Sequence, residues 1–277
     1  MNKVTIIGTG SVGSTIAYTL AVTGQVSEII MIDVNNEKAL GEALDIRQGT
    51  PFCSACSVYA GSYRDAEGSN IVVITSGIAR KPGQSRLDLA QTNVNIMKSI
   101  IPQITKYAPD AKYIVVSNPV DILTYVFCKH SDLPESHIIG SGTILDTARL
   151  LARLAEYYRI NQQNVHAYVM GEHGDSSFIP WSVANISNVP LADCQKLIVN
   201  SEGVYPELNY DDIETYVRKS GARVIERKGA TFYAISVSVC HIIKCLLGGI
   251  DTTMTVSTMM HGEYGIDDVC LSVLSVV

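Results

Sequence analysis

The stretch that most constrains the fold lies at the start of the chain, where an apolar run leads directly into a glycine-rich turn. Residues 3–7 read KVTII, and residues 8–13 read GTGSVG, which is the pattern G-x-G-x-x-G. Between a strand and a helix, such glycines allow a tight turn, a close approach to a pyrophosphate and close helix–strand packing. The helix N-terminus then faces the diphosphate. We therefore predict a β-α-β unit that binds a dinucleotide.

The second strand supports the same prediction. Asp33 ends the run EIIMID and lies 20 residues after Gly13. An acidic residue at this position accepts hydrogen bonds from the ribose hydroxyls and repels a 2′-phosphate, which favours NAD over NADP. The alternative is a glycine turn followed by an unrelated acid at the end of a strand.

The first half of the chain alternates short apolar runs with amphipathic helical stretches, one of which ends at Gly24. Continuous apolar strands joined by helices are typical of a parallel sheet covered on both faces. We predict an α/β fold, with a Rossmann doubly wound parallel sheet over residues 1–140 and a second, α+β catalytic domain over residues 141–277. In the second part, residues 193–228 have helical spacing, and the apolar run 233–249 is expected to pack on the first domain.

Composition excludes several classes of protein. The net charge is −6, which makes nucleic acid an improbable partner, and His241 and Lys244 interrupt the most apolar run, so we predict no membrane span. The seven cysteines are scattered, and Cys53 and Cys56 have no second pair at zinc spacing, so we predict reduced thiols, no metal and a cytoplasmic location. The chain stops inside an apolar run, from which we expect a truncated C-terminus.

Four residues outside the glycine turn are candidates for chemistry. His173 lies in the loop GEHGDSS, where an imidazole with a near-neutral pKa can act as an acid or base or be a structural loop residue. Asp146 and Arg149 lie three residues apart on a predicted helix and therefore on one face of it. They either form an ordinary surface ion pair, or Asp146 orients an imidazole and Arg149 binds a substrate carboxylate. Asn118 ends a predicted parallel strand, where it either contacts a ligand or forms a plain turn.

The chain resembles the L-lactate/malate dehydrogenase family over nearly its whole length. The resemblance is carried in order by GTGSVG, RKPGQSRLDL, SNPVD, GSGTILDTAR, NVHAYVMGEHGD and RKGATFYA. It implies an NAD-dependent 2-hydroxyacid dehydrogenase with a small 2-oxo or 2-hydroxy acid substrate, assembled as a homotetramer or dimer. The implied catalytic residues are His173 as proton donor and acceptor, Asp146 as its partner, and Arg86 as the loop arginine that polarises the substrate carbonyl.

The resemblance also implies binding residues. Arg149 is expected to hold the substrate carboxylate, with Arg80, Arg86, Asn118 and Thr231 as further substrate contacts. The expected cofactor contacts are Gly8, Gly10, Val12, Gly13, Asp33, Lys38, Tyr63, Gly77, Ile78, Ser99, Val116, Ser117 and Asn118.

The two branches of the family leave the substrate open between pyruvate and oxaloacetate. Arg80, six residues before Arg86, is the malate-type residue and should pair with a second carboxylate. Glu172 and Thr231 are lactate-like, and the flanking sequence matches the lactate branch over longer stretches. The sequence therefore favours L-lactate dehydrogenase, with malate dehydrogenase as the alternative and an inactive, truncated NAD-binding protein as the second alternative.

Regulation by fructose 1,6-bisphosphate is not expected. Family members that respond to it resemble each other at an arginine two residues after the clamp arginine and at a histidine seven before the catalytic one. Here these positions hold Leu151 and His166, so one cation of the pair is missing.

Overall fold

The central feature of the molecule is a mixed sheet, built within residues 2–78, 86–197 and 208–277, which the computed structural model describes. The strands of the described residues are β1 (Lys3–Ile7), β2 (Glu28–Ile32), β3 (Ser57–Ala60), β4 (Ile71–Ile74), β5 (Lys112–Val115), β6 (Ile138–Gly140), β7 (Val165–His166), β8 (Asn185–Ile186), β9 (Val189–Pro190), β10 (Thr253–His261) and β11 (Asp267–Val276).

Helices connect these strands and cover both faces of the sheet. They are α1 (Ser11–Thr23), α2 (Asn36–Gly49), α3 (Arg86–Tyr107), α4 (Val120–His130), α5 (Ile144–Tyr158), α6 (Leu191–Leu197), α7 (Tyr210–Lys228) and α8 (Tyr233–Gly248). The first ends where the sequence predicts, because Gly24 adopts φ 65° and its N–H bonds the carbonyl of Ala21. In the described part of the chain, no helix combines the length and the apolar character that crossing a membrane requires.

The sheet confirms the predicted doubly wound fold. Its strand order is β11-β10-β6-β5-β4-β1-β2-β3, and the six strands from β6 to β3 run parallel. All four residues of β4 are buried, as expected for a strand covered on both faces. The connections reverse direction between β1 and β4, and the ends of these strands open the crevice in which such folds bind ligands.

The second half of the chain continues this sheet as well as forming a layer of its own. The antiparallel strands β10 and β11 extend the sheet beyond β6, and β7, β8 and β9 form a small separate sheet that shares a hydrophobic core with α5 and α7. The predicted packing of residues 233–249 on the first half is confirmed, because α8 shares a core with α1 and the Ser236 hydroxyl donates to the carbonyl of Val12 at 3.2 Å. A boundary at residue 140 therefore stays a proposal.

The predicted helical segment at 193–228 is divided. The part that the structure describes falls in α6 and α7, and residues 198–207 lie outside the described residues.

Candidate functional site

The glycine turn has the backbone geometry that the sequence predicts. Gly8 follows β1 with φ 100°, a value that favours glycine, and its N–H donates to the carbonyl of Ile32 at 2.7 Å. A side chain on Gly13 would collide with the carbonyl oxygen of Gly8, so the close helix–strand contact requires glycine. At Gly10, by contrast, an added Cβ would meet nothing within 4 Å. The turn therefore leaves an open space at the N-terminus of α1.

Asp33 closes the other side of this space. Its Oδ2 accepts hydrogen bonds from the N–H and hydroxyl of Thr9 at 2.6 and 3.0 Å, and its Oδ1 accepts from the N–H of Asn35 at 2.9 Å. Burial raises the pKa of Asp33, but the hydrogen bonds from Asn35 and Thr9 and the charge of Lys38 outweigh it, and the net shift is downward. Of the roughly four lone-pair positions on a carboxylate, one stays available to a ligand.

Lys38 and Tyr63, both predicted to contact the cofactor, lie around Asp33. The backbone N–H of Lys38, in the first turn of α2, donates to Asn35 Oδ1 at 3.1 Å. Burial and the charge of Asp33 raise the pKa of Tyr63, which therefore faces this carboxylate as a neutral phenol.

The ends of β4 and β5 form the next part of the crevice. The Ser117 hydroxyl donates to the carbonyl of Ser76 at 2.6 Å, which ties the two strand ends together. Asn93, from α3, accepts from the N–H of Ile78 at 2.9 Å and donates to the carbonyl of Asn118 at 2.8 Å. Its side chain also packs against Gly77, where a Cβ would lie 3.3 Å away. One buried amide therefore fixes both loops.

Ser99 is the predicted cofactor residue with the least support. It is exposed on α3, and its hydroxyl donates to the carbonyl of Ile96 at 2.7 Å. Its contact with a cofactor stays a prediction.

A histidine, an aspartate and an arginine meet in a chain of hydrogen bonds. His173 Nδ1 donates to Asp146 Oδ2 at 2.6 Å, and Arg149 Nη1 donates to Asp146 Oδ1 at 2.8 Å. Because a carboxylate can only accept, the ring proton lies on Nδ1, which leaves Nε2 to face a ligand. The predicted pairing on one face of α5 is confirmed, but the pair is largely buried rather than on the surface.

A second carboxylate, Asp121, supports the loop that carries His173. From the first turn of α4, its Oδ2 accepts the backbone N–H of His173 at 2.8 Å. Its Oδ1 accepts the hydroxyl of Ser257, on β10, at 2.6 Å. Backbone bonds between Gly171 and Ser272, at 2.8 and 3.0 Å, fix the start of the same loop to β11. The position of the imidazole thus depends on elements far apart in the sequence.

The charges around His173 determine its protonation. Burial lowers its pKa, but the hydrogen bond and charge of Asp146 and the charge of Asp121 raise it more strongly, and the net shift is upward in spite of Arg149. The pKa of Asp121 is itself raised by burial, against the hydrogen bonds from Ser257 and His173. His173 therefore stays protonated up to a higher pH than a free histidine does.

One cleft of about 340 Å³ collects the predicted residues of both kinds. The catalytic and substrate candidates in its lining are Asn118, Asp146, Arg149, His173 and Thr231, and the cofactor candidates are Val12, Val116 and Asn118. Arg80 lies outside the described residues. Arg86 is the first residue of α3, and its side chain is also outside the description.

Three residues of this region were not predicted from the sequence. Asp121 is the last residue of the motif SNPVD, two residues after its proline, so its place in that motif could have identified it as a site residue. Asn93 and Ser257 lie within ordinary helical and strand patterns, and nothing in the sequence distinguishes them.

Leu151 is on α5 and His166 is on β7. They line a separate cavity of about 340 Å³ together with His241. The predicted lack of response to fructose 1,6-bisphosphate stays a prediction.

Comparison with known proteins gives a consistent result. The model of the lactate/malate dehydrogenase NAD-binding domain matches residues 2–140, and that of the α/β C-terminal domain of the same family matches residues 143–277. L-lactate dehydrogenase 1 of Clostridium acetobutylicum is 45% identical over 99% of this chain and 87% of its own length. L-lactate dehydrogenase of Thermoanaerobacterium saccharolyticum is 44% identical over 100% of this chain and 88% of its own. The crystal structure of the minor L-lactate dehydrogenase of Enterococcus mundtii superposes with a TM-score of 0.93 at 37% identity, covering 100% of this chain and 87% of that one.

Proposed function

The chain belongs to the lactate/malate dehydrogenase family, and from this premise we propose that it is an L-lactate dehydrogenase that reversibly reduces pyruvate with NADH. The observation that carries the proposal is the hydrogen-bonded set His173, Asp146 and Arg149 in a cleft that also includes Val12 of the glycine turn. A proton donor and a carboxylate-binding cation beside a dinucleotide turn are what reduction of a 2-oxo acid requires.

The glycine turn and Asp33 fit a nicotinamide dinucleotide. The open space at Gly10 gives a pyrophosphate access to the N-terminus of α1, and the carboxylate of Asp33 has acceptor capacity for a ribose hydroxyl. When bound, this cofactor supplies or accepts the hydride. A negative charge at Asp33 disfavours a 2′-phosphate, which supports NAD rather than NADP.

Arg149 is proposed to hold the substrate carboxylate. One of its Nη atoms is bonded to Asp146, which fixes the plane of the guanidinium and leaves its other donors to the cleft. A planar guanidinium can bind a carboxylate through two parallel hydrogen bonds, which orients the substrate as well as attracting it.

His173 is proposed to give its proton to the oxo oxygen of pyruvate and to take it back from lactate. The raised pKa keeps the ring protonated in the direction of reduction, and Asp146 stabilises the charged ring. Asn118 and Thr231 line the same cleft, and Arg86 is proposed to stabilise the negative charge that develops on the oxygen.

The discriminating experiment compares pyruvate and oxaloacetate in one NADH-oxidation assay. We expect a kcat/KM at least tenfold higher for pyruvate, and we expect Arg80→Gln to lower the remaining oxaloacetate activity because it removes a cation that would pair with a second carboxylate. A preference for oxaloacetate would instead identify a malate dehydrogenase. Turnover of neither acid would leave an NAD-binding protein without this activity.

Two further properties are proposed from the sequence. A cytoplasmic location is supported by the seven cysteines, all of which are free thiols in the structure. A homotetramer or homodimer is proposed from the family.

A further inference from the structure

Two free cysteines outside the substrate cleft lie against each other between α4 and β11. Cys128, on α4, and Cys270, on β11, belong to one hydrophobic cluster, and 8% and 1% of their surfaces are exposed. Their thiols hydrogen-bond each other, with Cys270 as the donor. Cys56, Cys194 and Cys240 donate instead to backbone carbonyls. The contact between Cys128 and Cys270 therefore joins two groups that can both be oxidised.

Polar contacts of neighbouring residues hold the two elements together around this pair. Lys129 Nζ, from the residue after Cys128, lies 2.7 Å from Asp268 Oδ1 on β11. The hydroxyl of Tyr125, one turn earlier on α4, donates to the same oxygen at 3.2 Å. Because these contacts fix α4 against β11, the two thiols stay opposite each other in the folded protein.

The hydrogen bond makes the two thiols chemically unequal. It lowers the pKa of Cys128, against burial and the charge of Glu135, which raise it. The same hydrogen bond raises the pKa of Cys270, and burial adds to that shift. Because the thiolate is the form that attacks an oxidant, Cys128 is the nucleophile of the pair.

A cavity bordered by the His173 loop reaches the pair. Its volume is about 430 Å³, and its lining includes Cys270 together with Tyr125, Glu172 and His173. A water molecule takes up about 30 Å³, so this space admits a small neutral oxidant such as hydrogen peroxide. The burial of the two sulfur atoms therefore does not isolate them from such a molecule.

The elements that carry the cysteines also support the His173 loop. Asp121 lies two turns before Cys128 on the same face of α4, and its carboxylate accepts the backbone N–H of His173 at 2.8 Å. Ser272 lies two residues after Cys270 on the same face of β11, and its backbone bonds the start of this loop at 2.8 and 3.0 Å. A covalent bond between the cysteines would therefore tie together two supports of the catalytic loop.

We propose that Cys128 and Cys270 are a modification site that peroxide converts to a disulfide, and that this bond lowers turnover by displacing His173. The Cys128 thiolate attacks one peroxide oxygen, the O–O bond breaks, and the released hydroxide takes a proton to become water. Cys270 then loses its proton and attacks the resulting sulfenic sulfur, which breaks the S–O bond and releases a second water. The two sulfurs lose two electrons, and the peroxide gains them.

The first measurement identifies the bond. The full chain is reduced, freed of reductant and treated with hydrogen peroxide, and its remaining thiols are alkylated under denaturing conditions before peptide mass spectrometry. We expect a linked pair of peptides that contains Cys128 and Cys270 and that separates after dithiothreitol. Cys194→Ala is the matched control, because Cys194 is as buried as Cys270 but bonds a carbonyl, and this variant should form the same link.

The second measurement follows the reduction of pyruvate by NADH. Oxidation of the wild type and of Cys194→Ala should lower kcat about tenfold and change the KM for pyruvate less than twofold, because His173 moves while Arg149, on α5, does not. Dithiothreitol should restore the activity. Cys128→Ala and Cys270→Ala should keep the kcat of the reduced wild type before and after peroxide. If either alanine variant melts below the wild type, serine at the same position takes its place.

The outcomes separate this inference from the proposed function, on which only the effect on turnover rests. Absence of the linked peptides after peroxide, or oxidation of Cys128 to a sulfinic acid without a link, would overturn the inference. A linked protein with the kcat of the reduced protein would overturn it as well. If the reduced protein does not turn over pyruvate, the proposed function fails, whereas the linked peptides would still confirm the bond.

Discussion

The glycine turn and the His173 cluster line one cleft, yet they are built by opposite means. The turn uses six consecutive residues, 8–13, and mostly backbone atoms, with Gly13 packed on the carbonyl of Gly8. The cluster uses side chains from α4, α5, β10 and a loop, and its hydrogen bonds join residues as far apart as Asp121 and Ser257. A backbone site depends on shape at a few positions, whereas a side-chain site depends on the charges of neighbours that folding brings together.

The largest effect is expected in the side-chain site. Arg149→Lys keeps one positive charge but removes the paired donors, so we expect kcat/KM for pyruvate to fall about 100-fold. Steady-state kinetics with NADH measures this loss. Arg153→Lys, one turn later on α5 and paired with Glu156 at 2.8 Å near the surface, is the control and should change kcat/KM less than twofold. Equal losses in the two variants would contradict the role of Arg149.

An intermediate effect is expected in the backbone site. Gly10→Ala should fold normally, because its Cβ meets nothing in the free protein, but the methyl group enters the space proposed for the pyrophosphate. We expect about tenfold weaker NADH binding, measured by fluorescence titration, with an unchanged melting temperature. Gly13→Ala should instead lower the free energy of unfolding, by about 1–3 kcal/mol, because its Cβ collides with the carbonyl oxygen of Gly8. Unchanged NADH affinity in Gly10→Ala would show that the cofactor does not approach this turn.

The smallest change is a shift of pH dependence. Reduction of pyruvate requires protonated His173, so activity should be present at low pH and be lost as pH rises through a pKa above the ordinary value of 6.5. Asp146→Asn removes the charge that raises this pKa and leaves burial, which lowers it, so the loss should begin at lower pH. Oxidation of lactate requires the neutral ring, so in Asp146→Asn this activity should appear at a lower pH than in the wild type.

Profiles of kcat/KM in both directions test this shift. Glu156→Gln, an exposed substitution on the same helix, should leave both profiles in place. If the Asp146→Asn profiles coincide with those of the wild type, another group controls the titration.

Much of the fold could be predicted because its signals are local. A buried β-branched strand such as β4, and a helix that ends at Gly24, each follow from a few adjacent residues. The continuation of the first sheet by β10 and β11 could not be predicted, since strand pairing across more than 100 residues leaves no mark in either partner. Asn93 was missed for the same reason: its two partners, Ile78 and Asn118, meet only when β4 and β5 lie side by side.

By itself, the sequence determined the glycine turn, the acid at Asp33 and the kinds of residue available for chemistry, because backbone conformation and periodicity are set over short distances. Only the tertiary structure decided how those residues act together. It placed Asp146 between an imidazole and a guanidinium, and it put Asp121 under the His173 loop. The physical reason is that hydrogen bonds, burial and charge depend on distance in space, and residues 121, 146 and 173 become neighbours only in the folded chain.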